Sequence, residues 1–176
     1  METVIEQGTP KDLGGLGRLY DDLNDHLAAT VNYPGWIKGV YPTRRDAETG
    51  LANGTLFVAK TDGELSGSII LNHQPEEAYF GQPWLINCAY SHILVVHTLV
   101  VHPRHLRHGV GQARMDFALQ HAKERGMCSI RLDVYHKNTP AIRLYERSGY
   151  QYISTVDLGL KEQYGLDWFR LYERLL

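Results

Sequence analysis

The stretch from Ser91 to Pro103, SHILVVHTLVVHP, constrains the fold more than any other part of the sequence. It is apolar at successive positions, which is typical of a strand covered on both faces. Such a strand lies in the middle of a sheet, so the chain must supply packing layers on both sides of it. Its apolar core, Ile93–Val101, is interrupted by His97 and Thr98 and is far too short to span a bilayer, so we expect no membrane contact.

Strand and helix signals alternate along the rest of the chain. Asp62-Gly63 between two β-rich segments predicts a tight hairpin, and Gly126 and Gly149 predict the ends of two later helices. We interpret the stretch from His73 to Tyr90, which has little periodicity, as a long irregular loop. The predicted strands are 3–9, 56–60, 66–72, 91–103, 129–136, 150–158 and 168–176, and the predicted helices are 10–27, 44–51, 110–125 and 138–149.

This order of elements predicts an α/β (α+β) fold with a mixed sheet, in a single domain spanning residues 1–176. A formal net charge of -2 argues against nucleic-acid binding driven by bulk charge. The only cysteines, Cys88 and Cys128, do not resemble a disulfide framework or a metal-ligand pair. The N-terminal sequence lacks a signal-peptide pattern, so we expect a cytoplasmic protein.

The segment HLRHGVGQARMD, from His105 to Asp116, follows the central strand and opens a helix. The backbone N–H groups of a helix N-terminus can bind an anion, and glycines permit its close approach. The alternative is a tight turn with solvated basic neighbours. The segment does not match a dinucleotide-binding fingerprint, because Arg114 stands where the third glycine is required. From these residues alone, both interpretations stay open.

The second half of the chain resembles the GNAT superfamily of N-acetyltransferases. The run HTLVVHPRHLRHGVGQARMDFALQHAKERG resembles the family's strand, pyrophosphate loop and helix. The later run IRLDVYHKNTPAIRLYERSGY resembles its N-x-x-A-x-x-x-Y-x-x-x-G-[FY] motif. The likeness covers about Leu56 to Tyr150 and implies a mixed, mostly antiparallel central sheet flanked by helices.

The resemblance also implies acetyl-CoA as cofactor and assigns residues to it. The backbone of Leu99–Val101 would pair with the pantetheine arm, and Asn138 and Ala141 would belong to the same site. Asn138 either bonds the cofactor or caps its helix. Leu106 departs from the family pattern, which has Gln or Arg there. The residues implied for the pyrophosphate are Arg107, His108, Gly109, Val110, Gly111 and Gln112, and those implied for the pantetheine arm are Leu99, Val100 and Val101.

Two side chains are candidates for proton transfer. Tyr145 occupies the family's tyrosine position and is the candidate general acid; its alternative is an aromatic core residue. Period-2 alternation places His97 on one face with Leu99 and Val101. An imidazole accepts a proton near neutral pH, so His97 is the candidate base. The alternative is a buried structural histidine, with a water chain or an acidic residue elsewhere as the base. His102, His105 and His108 are interpreted as solvated loop residues, and no metal site is expected.

The resemblance implies an N-acetyltransferase that moves an acetyl group directly to a primary amine on a small molecule or a peptide. The alternative function is a non-catalytic acyl-CoA-binding sensor on the same fold. Exposed strands near the C-terminus are compatible with a homodimer. Acidic and aromatic residues that can attract the amine or line its pocket are Asp21, Asp22, Asp25, Glu76, Glu77, Trp36, Tyr79, Trp84 and Tyr90.

Overall fold

A computed structural model describes every residue from Met1 to Leu176. Seven strands form one sheet in the order β1-β2-β3-β4-β5-β7-β6. Strands β4 and β5 run parallel, whereas the β1–β2, β2–β3, β5–β7 and β6–β7 pairs are antiparallel. The strands are β1 Thr3–Gln7, β2 Leu56–Thr61, β3 Glu64–Asn72, β4 Ile93–Val101, β5 Ser129–Tyr135, β6 Gln151–Val156 and β7 Phe169–Leu175.

Helices precede, interrupt and follow these strands. They are α1 Leu13–Ala29, α2 Arg44–Ala52, α3 Val110–Glu124, α4 Thr139–Arg147 and the short α5 Lys161–Tyr164. The mixed, mostly antiparallel sheet flanked by helices and the central place of β4 are therefore confirmed. The hairpin is confirmed as well, since Asp62 and Gly63 have φ values of 50° and 86°. None of the helices combines the length and the apolar character needed to cross a membrane.

The chain divides into two compact units, which are described separately. The first comprises Met1–Asn32, Trp36–Leu71 and Thr98–Phe117. Four leucines of α1, Leu16, Leu19, Leu23 and Leu27, are buried here, because helical spacing brings them to the same side. Its core residues are Leu16, Leu19, Tyr20, Leu23, Leu27, Ala47, Leu56, Val58 and Val100.

The second unit comprises Tyr33–Gly35, Asn72–His97 and Ala118–Leu176. Its apolar cluster joins β4, β6 and β7 to the loop that follows β3. The predicted irregular loop is confirmed except for two short 3-10 turns, at Glu77–Tyr79 and Tyr90–His92. The buried residues of the cluster are Tyr79, Ile93, Val95, Val156 and Leu171.

A disulfide between Cys88 and Cys128 corrects the expectation that the two cysteines are unpaired. The residues are 40 positions apart in sequence, but their Cα atoms are 6.8 Å apart. The pairing escaped the sequence analysis because two isolated cysteines carry no spacing pattern. Cys88 lies in the irregular loop and Cys128 immediately precedes β5, so the bond ties the loop to the start of that strand.

Gly67 in β3 is the glycine with the least room for a side chain in the first unit. A Cβ placed there would overlap both the carbonyl oxygen of Val100 and the guanidinium of Arg114, which is fully buried. Because one of these neighbours is backbone, it cannot move aside as a flexible side chain would. The absence of a side chain at residue 67 therefore permits the close approach of the end of β4.

We accordingly expect Gly67→Ala to lower the free energy of unfolding by at least about 1–3 kcal/mol, since overpacking a tight site forces backbone shifts. Chemical denaturation measures the change. Gly14→Ala is the matched control, because the nearest atom to its added Cβ is 3.8 Å away and alanine is favoured over glycine in helices by about 1 kcal/mol. Equal stability of the Gly67→Ala variant and the wild type would contradict this packing.

Candidate functional site

The loop after β4 reaches α3 through a single 3-10 turn at Pro103–His105. The imidazole of His102 begins that turn by accepting a hydrogen bond from the backbone N–H of Arg104, at 3.2 Å. Leu106, where the family pattern has Gln or Arg, is 37% exposed. The loop therefore presents Leu106 to its surface, and Arg107 follows as the first basic side chain of the glycine segment.

Two residues of this loop have left-handed backbone conformations. Arg107 has φ +65° and Gly109 has φ +77°. A Cβ on Gly109 would meet no atom within 4 Å, so the glycine is required by its backbone conformation and not by crowding. The helix α3 begins at Val110, and its first intrahelical bond runs from the N–H of Ala113 to the carbonyl of Gly109. The segment thus has the geometry of an anion-binding helix N-terminus with exposed basic neighbours.

The end of β4 departs from regular strand geometry at Thr98, which has φ +48°. Its hydroxyl lies 2.5 Å from the phenol oxygen of Tyr41, and this hydrogen bond holds the irregular residue. The prediction that His97, Leu99 and Val101 alternate regularly on one face is therefore wrong, because a left-handed residue interrupts the two-residue period. Beyond it, Val100 is buried, whereas Leu99 and Val101 are half-buried.

The helix α4 carries the predicted tyrosine motif. Its N-cap is Asn138, whose Oδ1 accepts from the N–H of Ala141 at 3.4 Å. Of the two roles left open for Asn138, helix capping is thus present. Gly149 follows the helix with φ +86°, as the pattern predicts.

Tyr145 lies on the buried side of α4, one turn after Ala141. It is 6% exposed, and its ring packs at a tilt against Tyr150 with centroids 6.1 Å apart. Burial raises the pKa of Tyr150, and that phenol oxygen has no hydrogen-bond partner. Tyr145 therefore packs beside a second buried aromatic ring.

His97 is held by two acceptors on the segment after β3. Its Nε2 lies 3.0 Å from Asn72 Oδ1 and 3.1 Å from the carbonyl oxygen of Gln74. The backbone N–H of Gln74 also donates to Asn72 Oδ1, at 3.0 Å, which fixes the orientation of that amide. Because both partners of Nε2 are acceptors, Nε2 carries the hydrogen. In the neutral imidazole, Nδ1 then has the unused lone pair.

A half-buried acid on β5, Asp133, was not identified from the sequence. Asp133 accepts a hydrogen bond from the phenol of Tyr79 at 2.6 Å, through Oδ2. Burial raises the pKa of Asp133, while the Tyr79 hydrogen bond and the charge of His97 act in the opposite direction. The sequence shows a single carboxylate inside the otherwise mostly apolar strand IRLDVYH. Whether that carboxylate belongs to a functional site depends on which strand lies beside β5.

A cavity of about 270 Å³ in the second unit is lined by the irregular loop and by Arg131. The guanidinium carbon of Arg131 lies 4.2 Å from the ring centroid of Trp84 and 5.2 Å from that of Tyr90. Of the aromatic residues predicted to line a pocket, Tyr79, Trp84 and Tyr90 do so here. Trp36 instead packs against the core of the first unit.

The predicted site residues thus fall into two groups. Leu99–Val101 and Arg107–Gln112 lie in the first unit, where the loop directly follows the end of β4. His97, Asn138, Ala141 and Tyr145 lie in the second unit, where α4 brings the last three together. His97 belongs to a separate cluster in that unit, with Asn72 and Gln74.

Known proteins resemble the chain in sequence. A sequence model of the Acetyltransferase (GNAT) family matches residues 20–150. Over 107 residues the chain is 30% identical to streptothricin acetyltransferase from Streptomyces lavendulae, a match that covers 60% of this chain and 49% of that protein. In each curated relative that it matches, the chain spans half of the length or less.

Solved structures share the fold. An acetyltransferase of the GNAT family from Streptococcus agalactiae superposes with a TM-score of 0.77 at 19% identity, over 99% of this chain and 95% of that one. The yncA protein from Salmonella typhimurium, solved with its cofactor acetyl-CoA, superposes with a TM-score of 0.66 at 15% identity, over 99% and 94% of the chains. Because the family model spans well over half of the sequence, the chain belongs to the GNAT family of acetyltransferases.

Proposed function

We propose that this acetyltransferase moves the acetyl group of acetyl-CoA directly to a primary amine on a small molecule or a peptide. The observation that carries the proposal is the state of His97, whose Nε2–H is held by Asn72 and Gln74 while Nδ1 keeps an unused lone pair. An amine attacks only as the neutral species, so a fixed proton acceptor is what its activation requires.

The residues expected to hold coenzyme A fit an anionic, elongated ligand. Gly109 has open space where a side chain would stand, and the N-terminus of α3 follows it with the positive end of the helix dipole. We assign the pyrophosphate to the segment Arg107–Gln112 and the pantetheine arm to the backbone of Leu99–Val101. When bound, acetyl-CoA supplies the thioester whose carbonyl carbon the amine attacks.

The two proton-transfer roles follow from the side chains. His97 takes one proton from the amine at Nδ1, and the phenol of Tyr145 gives a proton to the departing sulfur. A phenol carries its proton at neutral pH and can donate it to a thiolate leaving group, which is the role of a general acid. Asn138 and Ala141 position Tyr145 by fixing the first turn of α4.

Release of the coenzyme A thiol, followed with a thiol reagent, tests the proposal. We expect release with 1,4-diaminobutane, glucosamine or a lysine-containing peptide, and the acetamide product in equal amount. Hydroxyl compounds of matched size are the control. Binding of acetyl-CoA without turnover of any amine would favour the sensor function, and turnover of hydroxyl compounds alone would replace the amine as acceptor.

A further inference from the structure

His97 and Asp133 occupy equivalent positions on neighbouring parallel strands. The register of β4 and β5 pairs Ile93 with Ser129 and ends with Val95 opposite Arg131. His97 lies two residues beyond Val95, and Asp133 lies two residues beyond Arg131. Side chains two residues apart share a face of a strand. The imidazole and the carboxyl therefore project from the same face, at the point where the pairing of the two strands ends.

The Asp133 carboxyl is held in place by a hydrogen bond to one of its two oxygens, and the other oxygen has no partner in the protein. Its Oδ2 accepts from Tyr79, whose phenol is buried. Its Oδ1 makes no hydrogen bond within the protein and is accessible to solvent. A carboxyl with a purely structural role would be expected to satisfy both oxygens. One oxygen of a fixed carboxyl thus remains available to a ligand.

The neighbouring imidazole also has an accessible acceptor that no protein group uses. His97 Nδ1 makes no hydrogen bond within the protein and is accessible to solvent. This face therefore presents two unused acceptors, one of them anionic, and Glu76 adds a further negative charge nearby. A ligand complementary to them is a cation with several N–H donors, which describes a primary ammonium.

We propose that Asp133 and His97 together form the binding site for the primary ammonium group of the acetyl acceptor. The assignment rests on the proposed function and extends it, since it names the charged form in which the acceptor enters. Asp133 Oδ1 and His97 Nδ1 each accept one N–H of the ammonium. Tyr79 acts as a positioning residue, because it holds the other carboxylate oxygen.

The same pair accounts for the loss of the ammonium proton. The N–H bond to His97 breaks, the proton passes to Nδ1, and its electron pair stays on the nitrogen as the lone pair that attacks the thioester. The positive charge thereby moves from the ammonium to the imidazolium and remains beside the Asp133 carboxylate. Nε2–H keeps its two acceptors throughout, so the imidazolium stays hydrogen-bonded at that nitrogen.

A titration without acetyl-CoA tests the site independently of turnover. Isotopically labelled protein is titrated with butylammonium chloride, and the Asp133 carboxyl and His97 imidazole resonances are followed by NMR. We expect both to shift with saturation. Tetramethylammonium chloride at equal concentration is the control, because it carries the charge without N–H donors. Equal shifts with both salts, or none with butylammonium, would overturn the assignment.

Variants at residue 133 give the second measurement. Asp133→Asn should abolish the butylammonium shifts and raise the KM of any amine found active about 10- to 100-fold, since one charged hydrogen bond is lost. Asp133→Glu should restore part of the affinity. An unchanged amine KM in a folded Asp133→Asn variant would contradict the site. Saturable butylammonium binding without amine turnover would instead contradict the transfer reaction and leave the ammonium site in place.

Discussion

Replacement of His97 by glutamine is expected to lower kcat about 10²- to 10⁴-fold, the usual contribution of a positioned general base. Glutamine keeps a polar group of similar reach that can still donate to the Gln74 carbonyl, but it has no basic nitrogen. The amine proton then has no acceptor at this position. Affinity for acetyl-CoA, measured by calorimetry, should stay unchanged, because His97 is not among the residues assigned to the cofactor.

His92→Gln is the matched control for this variant. His92 is an exposed histidine of the same unit, and its imidazole Nδ1 lies 3.1 Å from the Ser91 hydroxyl, so its replacement should leave kcat unaltered. Wild-type kcat in the His97→Gln variant would remove His97 as the base. A parallel loss of acetyl-CoA affinity would indicate that His97 supports the fold of the site instead.

Replacement of Glu173 by glutamine is expected to lower the free energy of unfolding by about 3–5 kcal/mol, the usual cost of breaking a buried ion pair. Glu173 and Arg131 are 0% and 3% exposed, and the Arg131 Nε donates to Glu173 Oε2 at 2.6 Å. Without the carboxylate, a guanidinium charge stays buried and uncompensated. Denaturant unfolding measures the loss.

The Arg131–Glu173 pair also anchors the irregular loop, so breaking the pair should alter the cavity that the loop lines. Arg131 donates to the carbonyl of Ile86 at 2.7 Å, and Glu173 Oε1 accepts from the N–H of Leu85 at 2.6 Å. We therefore expect Glu173→Gln to disturb the cavity beneath the loop as well as stability. Glu162→Gln, at an exposed acid, is the control and should change stability by less than about 0.5 kcal/mol.

A double variant separates charge burial from general disruption. Adding Arg131→Met to Glu173→Gln removes the uncompensated cation, so part of the lost stability should return. Additive destabilisation by the two changes would contradict an interaction between them.

The local elements of this fold were predictable because each has its own chemical signal. The leucine spacing of α1, the Asp62-Gly63 turn and the apolar run of β4 all depend on residues close in sequence. The Cys88–Cys128 bond and the Arg131–Glu173 pair depend on contacts between residues 40 or more positions apart, for which a single sequence carries no pairing information. The left-handed conformation of Thr98 in β4 was missed because threonine gives no sign of positive φ.

In the candidate site, too, residues with a local sequence motif were predictable, whereas contacts between distant residues were not. The glycine segment and the tyrosine helix were found from motifs, and His97 from its position in β4. The partners of His97 were not predictable, since Asn72 and Gln74 precede it by more than twenty residues. Asp133 required the parallel register of β4 and β5, which only the folded chain supplies.

Initial rates measured while acetyl-CoA and an active amine are both varied test the central claim most directly. Direct transfer to an amine activated at His97 requires both substrates to be bound together, so the double-reciprocal lines should intersect, and no coenzyme A should be released before amine is added. Parallel lines with a burst of thiol in the absence of amine would indicate an acetylated protein residue and contradict the account.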